Sequence, residues 1–187
     1  MREFLEDVKF KDYFLDPIKT SEGIKYRKIL RHGKPLLGAF KPFFVPFGKE
    51  TFAVKLVHAY YESPLALCVG DVAQTRGVFC QVKLAFARGA VLIESIQGTK
   101  GRQGQLNDFS AAVGMPWPNF LVKKLEATGR RLGYREIRLW DVESSSSYKK
   151  HLQDAPETAK RMLSFYRILQ KKLGFSEKRG DYWVKRL

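Results

Sequence analysis

One stretch, residues 90–142, limits what the chain can fold into. Ala90-Val91-Leu92-Ile93-Glu94-Ser95-Ile96-Gln97 is nearly all apolar and rich in β-branched residues. That is the composition of a strand buried on both faces. Gly98-Thr99-Lys100-Gly101-Arg102-Gln103-Gly104 follows, with glycine at every third position. Residues 119–132 read as a helix stopped by Gly133, and residues 136–142 as the next strand. Two strands joined through a helix are most simply parallel neighbours with a right-handed crossover. The loop leaving the first strand of such a unit is where a ligand sits. Here it carries glycines, Lys100 and Arg102, which suit an anion.

The preceding residues are β-rich. Residues 51–61, 66–70 and 77–86 read as strands, and Arg88-Gly89 turns the last of them back into the strand at Ala90. In residues 77–86, Val78, Cys80, Val82 and Leu84 alternate onto one face. Residues 25–30 and 35–40 flank Arg31-His32-Gly33-Lys34 in the pattern of a hairpin. Residues 41–48 hold two prolines, too many for a central strand. The first half is therefore expected to be an antiparallel meander.

The second half alternates helix and strand. Leu121, Val122, Leu125 and Leu132 share one helix face, and Gly133 suits a left-handed cap. A longer helix is expected over residues 155–173. Asp154 and Glu157 have capping-box spacing at its start, and Phe175 is placed to fold back onto Leu169 at its end. Residues 181–187 close the chain as a strand.

At 187 residues the chain is long enough for one domain with a full core, with an antiparallel half at 1–89 and an alternating half at 90–187. The fold class expected is α+β, a mixed and mostly antiparallel central sheet with flanking helices. There are 34 Lys+Arg against 19 Asp+Glu, a formal net charge of +15. The excess is uneven: residues 19–55 carry nine cations and two anions, and residues 123–187 seventeen and eight. Such charge favours nucleic acid, phosphorylated ligands or acidic proteins as partners, or simply a solvated basic surface. Cys68 and Cys80 lie in apolar surroundings and read as reduced core thiols of a cytoplasmic protein. His32, His58 and His151 show no metal-ligand spacing. The first residues are charged, unlike a signal peptide, and no apolar run approaches the ~20 residues a membrane helix needs.

The order strand, glycine loop, helix, Leu-Gly-Tyr, strand, helix, Leu-Gly-Phe, strand resembles the Gcn5-related N-acetyltransferase superfamily. Residues 125–139, Leu173-Gly174-Phe175 and the terminal residues 182–187 carry the resemblance, which spans about residues 78–187. It implies transfer of an acyl group from acetyl-CoA or another acyl-CoA to an amine acceptor. Gln97 through Gly104 would hold the coenzyme pyrophosphate, with Lys100 and Arg102 adding charge. The edge of the strand at Ser95 and Ile96 would pair with the pantetheine amides. Glu94 is the only carboxylate inside the strand and is the candidate base; its alternatives are an ion pair with a neighbouring Arg or Lys, or a place on a bulge pointing to solvent. The family's usual tyrosine falls on Gln170; Tyr166, one turn earlier, is the remaining candidate acid.

The sequence also departs from the family. The loop spacing misses by one residue, and residues 105–118 separate the loop from the crossover helix, unless a short helix at 107–113 caps the phosphates. The alternative to an enzyme is a non-catalytic basic module on the same fold, binding nucleic acid or an acidic protein.

Overall fold

The computed structural model describes residues 33, 35, 36, 38–58, 65–72 and 77–187. Among the described residues, eight strands form one mixed sheet. Five run as an antiparallel meander: β1 (Phe43–Phe47), β2 (Glu50–His58), β3 (Leu65–Asp71), β4 (Val78–Ala87) and β5 (Ala90–Gly98). Helix α1 (Gln103–Ala112) and helix α2 (Trp117–Arg131) lead to β6 (Glu136–Trp140), which pairs with β5 in parallel. A 3-10 turn (Val142–Ser144), α3 (Ser146–Asp154) and α4 (Pro156–Leu173) follow, and the hairpin β7 (Glu177–Arg179) and β8 (Tyr182–Arg186) completes the edge. The spatial order is β1-β2-β3-β4-β5-β6-β8-β7. The expected mixed, mostly antiparallel sheet with flanking helices is present.

Burial follows the alternation of the strands. Val82, Leu84, Phe86, Val91, Ile93, Ile137 and Leu139 are all buried in one cluster. Leu121, Val122 and Leu125 of α2 join them, as do Leu106 and Phe109 of α1. Burying a side chain of this size contributes roughly 1.5–3 kcal/mol. Gly129 is buried in α2, and a Cβ there would stand 3.0 Å from Leu187 Cδ1. Glycine at this point lets the helix approach the end of the chain. Gly133 has φ +77°, and the Tyr134 N–H donates to Gly129 O at 3.0 Å, so the chain leaves α2 through a left-handed turn directly into β6. Gly174 ends α4 in the same way, with φ +75° and the Phe175 N–H on Gln170 O at 3.0 Å. Phe175 then packs in the cluster that holds Leu169.

Several expectations are corrected. The hairpin over residues 25–40 fails where it can be examined: described residues between 33 and 39 are helical, and the Phe40 N–H donates to Leu36 O at 2.9 Å. Residues 25–32 lie outside the described residues. Residues 43–47, too proline-rich for a central strand, form β1 at the end of the described sheet, where Pro46 is tolerated. Val78 is exposed rather than buried with Cys80. A register shift after Val69 leaves Phe79 opposite no residue of β3, turning Phe79 inward and Val78 out. The long helix begins at Pro156 with Ala155 as its cap, so Asp154 closes α3 instead of capping α4. Val142 belongs to the 3-10 turn and not to β6. The helix expected at 107–113 begins earlier, at Gln103, so a helix starts directly from the glycine turn.

Candidate functional site

The ladder between β5 and β6 runs only from Ala90 opposite Glu136 to Ile93 opposite Leu139. β6 ends one residue later at Trp140, and β5 continues to Gly98. Residues 94–98 of β5 therefore have no strand on that side among the described residues. A gap opens in the sheet at the C-terminal ends of two parallel strands, where α/β folds place ligands.

A bulge sits at the start of the gap. On β4, Leu84 faces Ile93 and Lys83 faces Ser95, so Glu94 has no partner residue on that strand. A bulge redirects the side chain it carries. The next residue of β6 past the last pair is Trp140, whose partner on β8 is Tyr182. The Tyr182 hydroxyl donates to Glu94 Oε1 at 2.7 Å, and its ring meets that of Trp140 edge-on, centroids 5.0 Å apart. One tyrosine thus reaches from β8 across β6 to β5. Burial raises the Glu94 carboxyl above the ordinary carboxylate range, and the bond from Tyr182 pulls it back. Burial, then the bond to Glu94, hold the Tyr182 hydroxyl protonated far above its usual range.

Inside the gap, the Ile96 N–H donates to the Tyr166 hydroxyl oxygen at 3.0 Å. That amide would otherwise be an open edge of β5. Burial raises the Tyr166 hydroxyl, and the Ile96 bond lowers it by less. Two buried polar atoms beside the gap, Ser95 Oγ and Trp140 Nε1, have no hydrogen-bond partner among the described residues. An unpaired buried polar atom costs about 1–3 kcal/mol, which makes each a point where a ligand or water would be welcome.

At the far end, Gly98 passes into a turn fixed by Thr99. The Thr99 N–H donates to Phe79 O at 2.8 Å, and its hydroxyl donates to Val78 O at 2.7 Å. Gly101 has φ +80°, a backbone that side chains rarely allow. α1 then begins with Arg102 as N-cap and no side chain capping it. Amides of an uncapped helix start attract anions. A cavity of about 530 Å³ lies here, walled by Ile96, Gly98, Gly101 and Lys100 from the strand and turn. Leu106 and Trp117 close it from α1 and α2, and Phe165 from α4.

The residues singled out in the sequence separate into groups. Ile96, Gly98, Thr99, Lys100, Gly101 and Gln103 line the cavity. Gly104 lies exposed in the first turn of α1. Arg102 is turned onto the Phe79 ring, its guanidinium carbon 5.7 Å from the centroid. Gln97 accepts from Gln81 at 3.4 Å, and Gln103 donates to Asn107 at 2.9 Å. Glu94 bonds a tyrosine rather than a cation. Tyr166 joins Ile96, while the Gln170 carbonyl closes α4. Sequence reading missed Tyr182, Trp140, Trp117 and Phe165. The alternation of residues 181–187 already put Tyr182 and Val184 on one face, a signal for Tyr182 alone.

Comparison of the chain with protein-family models, with curated proteins and with solved structures finds no match.

Proposed function

We propose that the chain is an acyl-CoA-dependent N-acyltransferase of the Gcn5-related type, passing an acyl group from acetyl-CoA or another acyl-CoA to an amine. One observation carries the reading: a parallel strand pair that stops at Ile93 and Leu139 while β5 runs on to a glycine turn, an uncapped helix start and a cavity. An extended donor with amide groups suits the unpaired stretch of β5, and its phosphates suit the turn at Gly98–Gly104. Ile93 and Leu139 face the core, whereas Glu94 meets Tyr182 on the alternate face with Trp140. Donor and acceptor would then meet in the gap from opposite sides of the sheet.

The chemistry follows from these positions. Glu94 takes a proton from the amine, whose nitrogen attacks the thioester carbonyl carbon. The carbon–sulfur bond breaks and the thiolate leaves. The Tyr166 oxygen already accepts from Ile96, so its own proton is free to go to the leaving sulfur. Where Tyr166 yields it, the Ile96 N–H would steady the carbonyl oxygen.

The test is a calorimetric titration of coenzyme A, followed by thiol release from acetyl-CoA across a panel of amines. Binding tighter than millimolar is expected. No heat at millimolar coenzyme would remove the enzyme reading.

A second reading, a basic binding surface on the same fold, is favoured by the solvent side of α4. Lys160, Arg161, Arg167, Lys171 and Lys172 are exposed along it, and Glu157 is the only acid of that helix. Nucleic acid bound there would lose affinity steeply with salt, log K falling by about 0.9 per phosphate contact on duplex DNA. Absence of retardation of RNA and DNA at low salt would dismiss it.

No helix among the described residues is long and apolar enough to cross a membrane.

A further inference from the structure

Glu94 is half-buried on a bulge, at the level where β5 loses its neighbour. A carboxylate in such a place swings away or takes up a proton unless something holds it. The charged and titratable groups around it come from four elements. Arg138 on β6 bonds Glu136 through both Nε and one terminal nitrogen. Lys83 on β4 pairs in register with Ser95, Tyr166 on α4 bonds Ile96, and Asp181 precedes β8. The hydroxyl of Tyr182 is the group that bonds Glu94. Its ring cannot easily tilt, because Trp140 stands edge-on to it and lies between the two strands that the bond connects.

We infer that Tyr182 is a positioning residue, which fixes the Glu94 carboxylate at the mouth of the gap and keeps it available as a base. The inference rests on the acyltransferase reading for its purpose, but its physical content is testable without any activity. A donor aimed at one carboxylate oxygen stabilises the ionised form. Take that donor away and Glu94 should bind its proton more tightly. Strengthen the donor and Glu94 should bind its proton less tightly.

The experiment is a carbon-13 NMR titration of the Glu94 side-chain carboxyl, assigned by its disappearance in Glu94→Gln. In Tyr182→Phe the midpoint should rise by about one pH unit, a tenfold change in proton affinity. With 3-fluorotyrosine at position 182, a nearly isosteric and stronger donor, it should fall. This second protein keeps the test open if the Phe variant does not fold. An unchanged midpoint in the folded Phe variant, or in the fluorotyrosine protein, overturns the inference. Where an amine acceptor gives turnover, the acidic limb of the kcat/KM profile should move with the NMR midpoint in the same direction. A limb that stays put while the midpoint moves removes the positioning role in catalysis. Failure of every amine, with the NMR shifts as expected, sinks the acyltransferase reading and leaves the tie between Tyr182 and Glu94 standing.

Discussion

The Ile96 amide and the Tyr166 hydroxyl, 70 residues apart in the chain, meet at 3.0 Å where β5 has outrun β6. Ile96 donates and the tyrosine oxygen accepts. A helix side chain thus occupies a position that a neighbouring strand would fill in a continuous sheet.

Tyr166→Phe tests that bond. It leaves the Ile96 N–H without an acceptor, at a cost of about 1–3 kcal/mol. Chemical denaturation should show a loss in that range. Coenzyme A should then raise the melting temperature of the Phe variant more than that of the parent, because an oxygen of the donor can take the vacated amide. An equal or smaller rise would mean that the donor does not reach Ile96. Turnover should fall in the variant even as binding holds, if Tyr166 supplies the proton to the leaving sulfur.

Glu94 makes the folded protein sensitive to pH with a definite sign. Burial raises its folded value above the unfolded one. Protonated Glu94 is therefore the form that folding favours. Its contribution to stability is full below the unfolded value and is lost as pH rises through the folded value. Glu94→Gln is free of this loss. Relative to the parent, the Gln variant should gain stability in urea titrations as pH rises from the ordinary carboxylate range to neutral and above. A constant difference across that range would mean that Glu94 titrates as an ordinary exposed carboxylate.

The two cysteines lie on adjacent central strands, are buried and are unbridged. Burial pushes the Cys68 thiol up to about 12, with Lys55 pulling it partly back. Cys80 is raised further still, by burial first and then by Cys68. Since the thiolate is the reactive form, alkylation near neutral pH should be far slower in the folded chain than in denaturant. Rapid labelling of either residue without unfolding would contradict this placement in the core.

The backbone of the site was legible in the sequence where local composition decides it. The β-branched run at 90–97, the helix closed by Gly133 and the strand at 136 each carry their own signal, and the parallel pairing follows from the crossover. The gap itself was not legible. It arises because β6 stops at Trp140 while β5 continues, and strand ends carry weak signals. The bulge at Glu94 is invisible to a period-two reading, since one extra residue looks like any other polar interruption. α1 was blurred because only Leu106 and Phe109 of its ten residues are buried, too few for a helical stripe. Tyr182 reaches Glu94 across an intervening strand, a contact that no spacing along the chain encodes. The described helical residues 35, 36, 38 and 39 were read as the second strand of a hairpin because Gly33, between the two runs, reads as turn chemistry. Gly33 is in fact a point of close approach, where a Cβ would meet the Phe86 ring at 2.6 Å.

The glycine turn offers the sharpest separation of binding from folding, at Gly104. Gly101 is a poor choice, because its φ of +80° would strain any replacement. Gly104 has no positive φ, and a Cβ there meets nothing within 4 Å. It lies in the first turn of α1, which holds no acidic residue. A carboxylate at that end of a helix interacts favourably with the helix dipole, by about 0.3–1 kcal/mol, and replacing a helical glycine adds a gain of its own. Gly104→Glu should therefore melt at or above the temperature of the parent. The same carboxylate stands where a pyrophosphate would bind, and like charges at that range repel. Affinity for coenzyme A should fall about tenfold, equivalent to about 1.4 kcal/mol, and the loss should shrink as salt screens the charge. Dephosphorylated pantetheine, which brings no phosphate to the turn, should bind both proteins alike. A Glu variant that is stable yet binds coenzyme A as tightly as the parent would move the phosphate site away from α1. A variant that weakens pantetheine and coenzyme A equally would place the damage in the cavity rather than at the helix start.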